Sequence, residues 1–405
     1  MYKSDPNLLR TVFLLSVCFA LTGSTSSLTI SASSLVGFQL ADNKALATLP
    51  ISIHLIGTML AGIPASLLMK RVGRKYGFMI GTGIGAIGAI SAAASIIYAS
   101  FFFFCLSIFC LGTLSGFGQL YRFAAADVAT NEFKTKAVSL VMFGGIIAGF
   151  IGPTVASMAK DLIPNAQFAG SYLFVILFFV LTVMVLSVTK LPKPSEAEQK
   201  GKTRPLKEIF SQPKFLVAVL TSMAGYGVMA MIMTATPLAM TEGSGHPFSD
   251  AAFVIQWHVV GMFAPSFFTG SLIHRFGAVP IIFTGILLNI LCVIINFSGT
   301  DVLNFWSALI LLGIGWNFMF VAGTTMVTET YYPAEKAIVQ GVNDFLVFGF
   351  SAFSSLLAGV LQTTMGWEVV NLSAIPLLGL VVIALLWYTF GYSGKKGLSF
   401  VEQEI

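Results

Sequence analysis

The sequence predicts an all-α membrane protein, in which twelve transmembrane helices form two pseudo-symmetric six-helix bundles. Its 405 residues are 56% hydrophobic and only 10% charged, whereas an ordinary soluble domain carries about 25% charged residues. The chain also contains twelve apolar runs of membrane-spanning length, and its second half repeats features of its first. A soluble multidomain protein is incompatible with this composition.

The apolar runs define the predicted spans, since about 20 helical residues cross a hydrocarbon core about 30 Å thick. Short polar segments separate them everywhere except at residues 190–213, a long stretch that contains Pro192, Pro194 and several lysines. We therefore predict an N-terminal bundle at 1–189, a linker at 190–213, and a C-terminal bundle with a short tail at 214–405. Spans 1 to 12 are predicted at 8–38, 45–69, 77–98, 101–126, 137–159, 168–189, 214–240, 250–272, 279–298, 303–328, 338–361 and 370–391.

An internal repeat supports the division into two bundles. When the numbering is shifted by 204, six of the 28 residues from 54 to 81 are identical to their counterparts. These residues cover one helix, its turn and the start of the next helix, so both halves are expected to share one architecture. The identical pairs are His54 with His258, Gly57 with Gly261, Leu68 with Leu272, Arg71 with Arg275, Gly73 with Gly277 and Gly81 with Gly285.

The basic residues predict the orientation in the membrane. Nineteen of the 22 Lys and Arg residues fall in the termini, the linker and the loops of one side, and only Lys44 and Lys160 fall on the other. Because cytoplasmic loops carry the excess of cations, both termini are predicted to be cytoplasmic. We expect a monomer in the plasma membrane, specifically a bacterial inner membrane, with the lipid bilayer around it. The net charge of +5 resides in these loops and does not indicate nucleic-acid binding.

The turn between spans 2 and 3 carries the most specific motif, Ser-Leu-Leu-Met-Lys-Arg-Val-Gly-Arg-Lys at 66–75. It resembles the loop-2/3 signature of the major facilitator superfamily, in which Gly and three residues precede Asp-Arg, any residue, and Gly-Arg-Arg/Lys. The matching positions are Arg71, Gly73, Arg74 and Lys75, whereas Ser66 replaces the Gly and Lys70 replaces the Asp. The resemblance covers the whole chain as architecture but only this loop as a motif. It implies a secondary transporter that works by alternating access.

Ionisable residues inside the spans are the candidates for proton coupling. His54 and His258 lie near the middle of spans 2 and 8 at repeat-equivalent positions, and the ordinary His pKa of about 6.5 suits reversible protonation. The alternative is a neutral His packed between helices. Asp344 in span 11 is either a proton site or the partner of Lys70. An Asp344–Lys70 pair would replace, with the two charges exchanged, the contact to helix 11 that the resemblance implies for the family's loop Asp. We prefer the second interpretation. Arg122, inside span 4, either contacts the substrate or a gate, or extends to the interface.

Acidic residues at the ends of spans 4 and 10 predict a cytoplasmic gate. The half-chain symmetry predicts that Asp127 meets Arg71 or Arg74 and that Glu329 meets Arg275. These pairs, together with Lys70, would hold the cytoplasmic side closed when the protein opens outward. The alternative is a set of interfacial charges without a shared contact.

The resemblance implies that spans 1, 4, 7 and 10 line a central cavity. The candidate lining residues are Thr25, Gln119, Tyr121, Tyr226, Trp316 and Asn317, with Gln256 and Trp257 of span 8 beside His258. Thr22, Ser26 and Ser27 of span 1 and Met229 and Met233 of span 7 are further polar and Met side chains in these spans. Such a cavity suits a medium-sized, planar organic solute better than a bare ion or a sugar.

The predicted function is therefore secondary active transport of a small organic solute, driven by protons. Efflux is slightly preferred, because Gly152-Pro153 partly resembles an exporter signature, in which a Gly stands at the position that Ala148 occupies here. Uptake of a vitamin-like or siderophore-like solute is the alternative. A non-transporting receptor or scaffold is the alternative of another class. The sequence contains no nucleotide-binding motif, nucleophile constellation or metal-ligand set, so we expect no enzyme activity, no cofactor and no metal.

Overall fold

A computed structural model describes residues 6–129, 134–191, 204–332 and 335–393. Within these ranges the chain contains helices and turns but no strand. Twelve helical segments are long and apolar enough to cross a membrane. The predicted all-α fold with twelve spans is confirmed, while residues 192–203, half of the predicted linker, lie outside the described ranges.

The first half contains spans 1 to 6. Span 1 is one helix of 35 residues, longer than the roughly 20 residues that a perpendicular crossing needs. Span 4 is interrupted at residues 119–120 and continues as a second, short helix. The bounds are Pro6–Leu40 for span 1, Leu49–Val72 for span 2, Arg74–Ile97 for span 3, Phe101–Gly118 and Tyr121–Val128 for span 4, Lys134–Ala159 for span 5 and Ala169–Val188 for span 6.

The second half follows a short helix at Leu206–Phe210. Span 8, like span 4, consists of two helices, and spans 7 and 12 end in π-helical turns. The bounds are Pro213–Leu238 with Ala239–Gly243 for span 7, Phe248–Phe263 and Ser266–Phe276 for span 8, Ala278–Ser298 for span 9, Val302–Thr328 for span 10, Lys336–Thr364 for span 11, and Trp367–Leu372, Ala374–Leu386 and Trp387–Ser393 for span 12.

The internal repeat is visible in the backbone. The reversals between spans 2 and 3 and between spans 8 and 9 use Gly73 and Gly277, with φ of 85° and 83°. A Cβ atom is disfavoured at such angles, so glycine is the residue that permits the tight turn. The two residues are equivalent under the 204-residue shift found in the sequence.

Glycines also bring helices together at both repeated histidines. Gly112 of span 4 packs directly against the backbone of His54, and a Cβ at Gly313 of span 10 would lie 2.6 Å from the carbonyl oxygen of His258. Small residues allow helices to approach closely inside a membrane. Each histidine therefore lies at a close approach of two helices within its own half.

The two halves meet along spans 2 and 11 and along spans 5 and 8. We call the end of the molecule that carries Val72, Lys190 and Glu335 the linker end. At the opposite end, Thr48 Oγ1 donates a hydrogen bond to the carbonyl of Ser355 at 2.8 Å. These contacts surround a central space between the halves.

Candidate substrate cavity

A cavity lies between the halves and encloses about 900 Å³ of space between atoms, including the part that opens to solvent. Spans 1, 2, 4 and 5 line it from the first half, and spans 7 and 8 from the second. The lining therefore comes from both halves of the chain.

Most of the polar lining comes from the first half, and we call this side the polar wall. The hydroxyls of Ser26 and Ser115 share a hydrogen bond of 2.7 Å, and Ser115 Oγ lies 3.2 Å from His54 Nε2. Ser27 Oγ and His54 Nδ1 are buried without a hydrogen-bond partner among the described residues. Unpaired buried polar atoms cost free energy, so the polar wall has hydrogen-bonding capacity that a bound solute can use. The polar wall consists of Thr22, Ser26, Ser27, His54, Ser115 and Gln119.

The lining from the second half is aromatic and Met-rich, and we call it the apolar wall. Tyr226 packs edge-on against Trp316 with ring centroids 5.3 Å apart, and Trp316 stacks on Phe320 at 5.1 Å. This aromatic cluster supports the lining side chains from behind and fixes their positions. The apolar wall consists of Tyr226, Met229, Met233, Val259, Met262 and Phe263.

Of the eight residues predicted to line the cavity, Gln119 and Tyr226 do so. Trp316 stands behind the apolar wall, where it contacts Tyr226 and Phe263. Asn317 instead joins spans 8 and 10, because it donates to the Met262 carbonyl and accepts from Thr269 Oγ1, both at 2.7 Å.

The other predicted lining residues face neighbouring helices. Tyr121 is buried in the first half and stacks on Phe78 with centroids 4.0 Å apart. Two residues correspond to about 200° of rotation around a helix, so Tyr121 and Gln119 point to different sides of span 4. Thr25 is buried within span 1 and donates to the carbonyl of Leu21. Trp257 packs on Phe150 of span 5 at 6.0 Å, and Gln256 lies beside it outside the cavity lining.

Several further residues line the cavity without having been predicted from the sequence, among them Phe19, Ser115, Met262 and Phe263. Ser115 had a usable signal, since it lies four residues before Gln119 and therefore on the same helix face. Apolar residues in an apolar helix gave no such signal, because every face of the helix is hydrophobic.

The three proton-coupling candidates have different surroundings. His54 lines the cavity, whereas His258 is fully buried away from it, with Nδ1 2.8 Å from the carbonyl of Leu309. Asp344 faces Arg122, with 4.0 Å between a carboxylate oxygen and a guanidinium nitrogen. Arg122 therefore pairs across the halves rather than extending to the interface. The side chain of Lys70 lies outside the described part of the chain, so the preferred tie between Asp344 and Lys70 stays a prediction.

The predicted gate residues form ion pairs within each half. Arg74 pairs with Asp127, as predicted from the symmetry. Glu329 pairs with Lys214 at the start of span 7, so the predicted Arg275 partner is wrong. Span 7 begins beside the end of span 10, which makes Lys214 the nearer cation, and the Arg275 guanidinium instead covers the Phe276 ring. Arg71 has no ion pair with a described residue. Pairs inside one half cannot by themselves hold the two halves together.

The linker end also contains an ion pair with a buried carboxylate, which was not predicted from the sequence. Arg204 donates to Glu335 from Nη2 at 2.7 Å, from Nε at 3.0 Å and from its backbone N–H at 2.8 Å. The side chain of Glu335 is inaccessible to solvent. The hydrogen bonds from Arg204 lower the pKa of Glu335 to about 2. The end of the linker is therefore fixed to the loop between spans 10 and 11.

The family model of the Major Facilitator Superfamily matches residues 13–353 and 220–403. The riboflavin transporter RfnT of Brucella anthropi is 42% identical over 381 residues, which cover 93% of this chain and 95% of RfnT. YdeG of Bacillus subtilis, an uncharacterized MFS-type transporter, is 26% identical over 93% of this chain and 91% of its own.

Two solved structures share the fold. The xylose transporter XylE of E. coli, in a partially occluded inward open conformation, has a TM-score of 0.69 and 14% identity, covering 95% of this chain and 98% of XylE. The E. coli fucose:proton symporter FucP has a TM-score of 0.58 and 16% identity, covering 95% of this chain and 99% of FucP.

Proposed function

The chain belongs to the major facilitator superfamily, and from this we propose that it is a proton-coupled importer of riboflavin or a closely similar vitamin. It is a secondary transporter, not an enzyme. In this fold the substrate site lies near the membrane middle between the two bundles, and rocking of the bundles exposes it to each side in turn. The cavity between the two walls is the corresponding space in this chain.

The two-sided character of the cavity is the observation that carries the proposal. Riboflavin has a flat, aromatic ring system with one polar edge and a chain of hydroxyl groups. Tyr226 and Phe263 of the apolar wall present aromatic surface to such a ring, and aromatic pairs gain about 0.5–1.5 kcal/mol beyond area burial. The unpaired Ser27 Oγ and His54 Nδ1 of the polar wall offer hydrogen bonds to the ring edge or the hydroxyl chain. The 42% identity to RfnT supports the same substrate class.

Packing accounts for Gly152, the span 5 glycine that favoured efflux. A Cβ at Gly152 would lie 2.5 Å from the carbonyl oxygen of Ser24 in span 1. Gly152 therefore allows spans 5 and 1 to approach each other closely, whatever the direction of transport. Because packing explains this glycine, it no longer favours efflux. We therefore propose uptake, which was the alternative prediction for a vitamin-like solute.

We propose that His54 couples transport to protons. It is the candidate that lines the cavity, and the Ser26–Ser115 hydrogen-bond pair lies against its Nε2. A site that faces each side of the membrane in turn can take a proton from one side and release it to the other. The basic linker end is taken to be cytoplasmic, in a bacterial inner membrane, and the transporter is taken to act as a monomer.

The test is uptake of radiolabelled riboflavin by cells that cannot make or otherwise import it. We expect accumulation that a protonophore abolishes, and a loss of riboflavin affinity in Ser26→Ala. The matched control is Ser24→Ala, since Ser24 donates to the Ala20 carbonyl inside span 1 at 2.8 Å and is absent from the lining. Cells that take up no riboflavin, and purified protein that does not quench its fluorescence, would overturn the proposal. Uptake that survives the protonophore would overturn the coupling alone.

A further inference from the structure

One ion pair among the described residues joins the two halves, and it lies directly beyond the cavity. Arg122 belongs to span 4 of the first half and Asp344 to span 11 of the second. All other ion pairs of the described ranges lie within one half or between a half and its adjoining loop. The pair therefore lies where the halves must separate during transport.

The position of the pair follows from helix geometry. Arg122 lies three residues beyond Gln119, about one turn nearer the linker end. Asp344 lies one turn before Phe348, whose ring packs against Tyr226 with centroids 5.2 Å apart. Neither Arg122 nor Asp344 lines the cavity. The pair therefore lies just beyond the cavity on the side of the linker end, and we call this position the floor of the cavity.

Arg122 is balanced in charge but incompletely hydrogen-bonded. Its distance of 4.0 Å from Asp344 exceeds the roughly 2.7–2.9 Å of a charge-assisted hydrogen bond. Arg122 Nε is buried without a partner among the described residues, and Asp344 Oδ1 accepts from its neighbour Asn343 at 3.1 Å. The guanidinium thus keeps a free donor next to the cavity, while the carboxylate cancels its charge.

No acidic or basic side chain lines the cavity itself among the described residues, apart from the titratable His54. A neutral vitamin loses no ion hydration on entering such a space. A phosphorylated form of the same vitamin would carry about two negative charges, and burying an ion without a counter-charge is costly. Arg122 carries a permanent positive charge just beyond the cavity, and a guanidinium binds phosphate well, but the carboxylate of Asp344 beside it repels the same anion.

We propose that the Arg122–Asp344 pair is a charge-neutral floor that makes the transporter selective for the uncharged vitamin and against its phosphate ester. Asp344 is the specificity-determining residue, because its carboxylate neutralises the charge of Arg122 and repels an anion that approaches the guanidinium. This inference rests on the proposed riboflavin specificity. Removal of the carboxylate leaves a buried guanidinium with unused donors, which is the group that binds phosphate bidentately.

The experiment measures binding of riboflavin and riboflavin phosphate to the purified full-length protein, by quenching of flavin fluorescence. We expect the wild type to bind riboflavin and to bind the phosphate at least about a hundred-fold more weakly, given the cost of a buried, unpaired charge. In Asp344→Asn, the ratio of phosphate affinity to riboflavin affinity should rise at least about ten-fold, as expected for a hydrogen bond to a charged group. The double variant Arg122→Gln with Asp344→Asn should lose this gain, because it has no cation to offer.

The control is Asp161→Asn. Asp161 is an exposed carboxylate far from the cavity that contacts Lys160 and Gln167, so its replacement should leave the ratio of phosphate affinity to riboflavin affinity unchanged. Asp344→Ser is a second single variant with the same expected gain. An unchanged ratio in both single variants, a gain that persists in the double variant, or loss of all flavin binding in both single variants would overturn the selectivity role. A wild type that binds both flavins equally would overturn it too. If the wild type binds neither flavin, the riboflavin proposal itself fails.

Discussion

Replacing His54 and His258 by Gln, one at a time, separates a coupling histidine from a packing histidine. The two residues are repeat-equivalent and both buried, but only His54 lines the cavity. Gln keeps hydrogen-bonding capacity and cannot exchange a proton near neutral pH. We expect His54→Gln to abolish gradient-driven accumulation of riboflavin and His258→Gln to lower stability while accumulation persists.

The size of the first effect follows from the driving force. One proton moving down 100 mV supplies about 2.3 kcal/mol, which corresponds to an accumulation of about fifty-fold at about 1.4 kcal/mol per factor of ten. Without coupling, a neutral solute equilibrates and its concentration ratio falls to about one. His258→Gln disturbs the 2.8 Å hydrogen bond to the Leu309 carbonyl, a loss of about 1 kcal/mol of folding free energy.

The assay uses proteoliposomes with an imposed proton gradient, together with equilibrium binding and thermal unfolding of the same proteins. His54→Gln should still exchange riboflavin across the membrane at equal concentrations while failing to concentrate it. The coupling role is refuted if His54→Gln concentrates riboflavin as the wild type does. The packing role of His258 is refuted if its variant unfolds at the wild-type temperature but no longer accumulates substrate.

Two further predictions concern the contacts that surround the cavity. In Gly145→Ala, the new Cβ would lie 2.7 Å from Phe263. Overpacking costs about 1–3 kcal/mol, so the population of the conformation described here, relative to the other conformations, should fall roughly five- to 150-fold. Cysteine accessibility measures the shift, and Gly62→Ala, with open space at its Cβ, is the control expected to show none. At the linker end, the pKa of Glu335 is lowered from its ordinary 4.5 to about 2 by Arg204. The stabilisation is thus complete above about pH 4.5 and is lost as the pH falls toward 2. The unfolding temperature should decline in that window, with the decline reduced in Glu335→Gln; an equal decline in both proteins would exclude the pair as the cause.

The spans were predictable because membrane insertion depends on a local property, the length of an apolar run. The turn at Gly73 was predictable for a similar reason, since a basic turn between two runs needs a residue that tolerates positive φ. The His54 and His258 positions were found from the repeat, which is also a feature of the sequence alone. The cation that pairs with Glu329 was predicted wrongly. Both Arg275 and Lys214 belong to the second half, and Glu329 pairs with Lys214 because span 7 begins beside the end of span 10.

The rotation of each helix about its axis was not predictable. In soluble helices the polar face points to solvent, but a helix that is apolar all round gives no such direction. Gln119 and Tyr121 were therefore assigned to the same cavity, although only Gln119 faces it. The pairing of Arg122 with Asp344 was out of reach for a second reason. It joins residues in opposite halves of the chain, and one sequence carries no record of which distant residues meet.

The division of the cavity into a polar and an apolar wall has a consequence for alternating access. The polar wall moves with the first half and the apolar wall with the second, so a solute that touches both walls is a contact between the halves. A ligand shifts a conformational equilibrium only through its different affinity for the two states. A flavin bound by both walls therefore stabilises the arrangement in which the halves are close, and a molecule that satisfies only one wall does not. The Arg122–Asp344 pair supplies an attraction between the same two halves in the absence of solute.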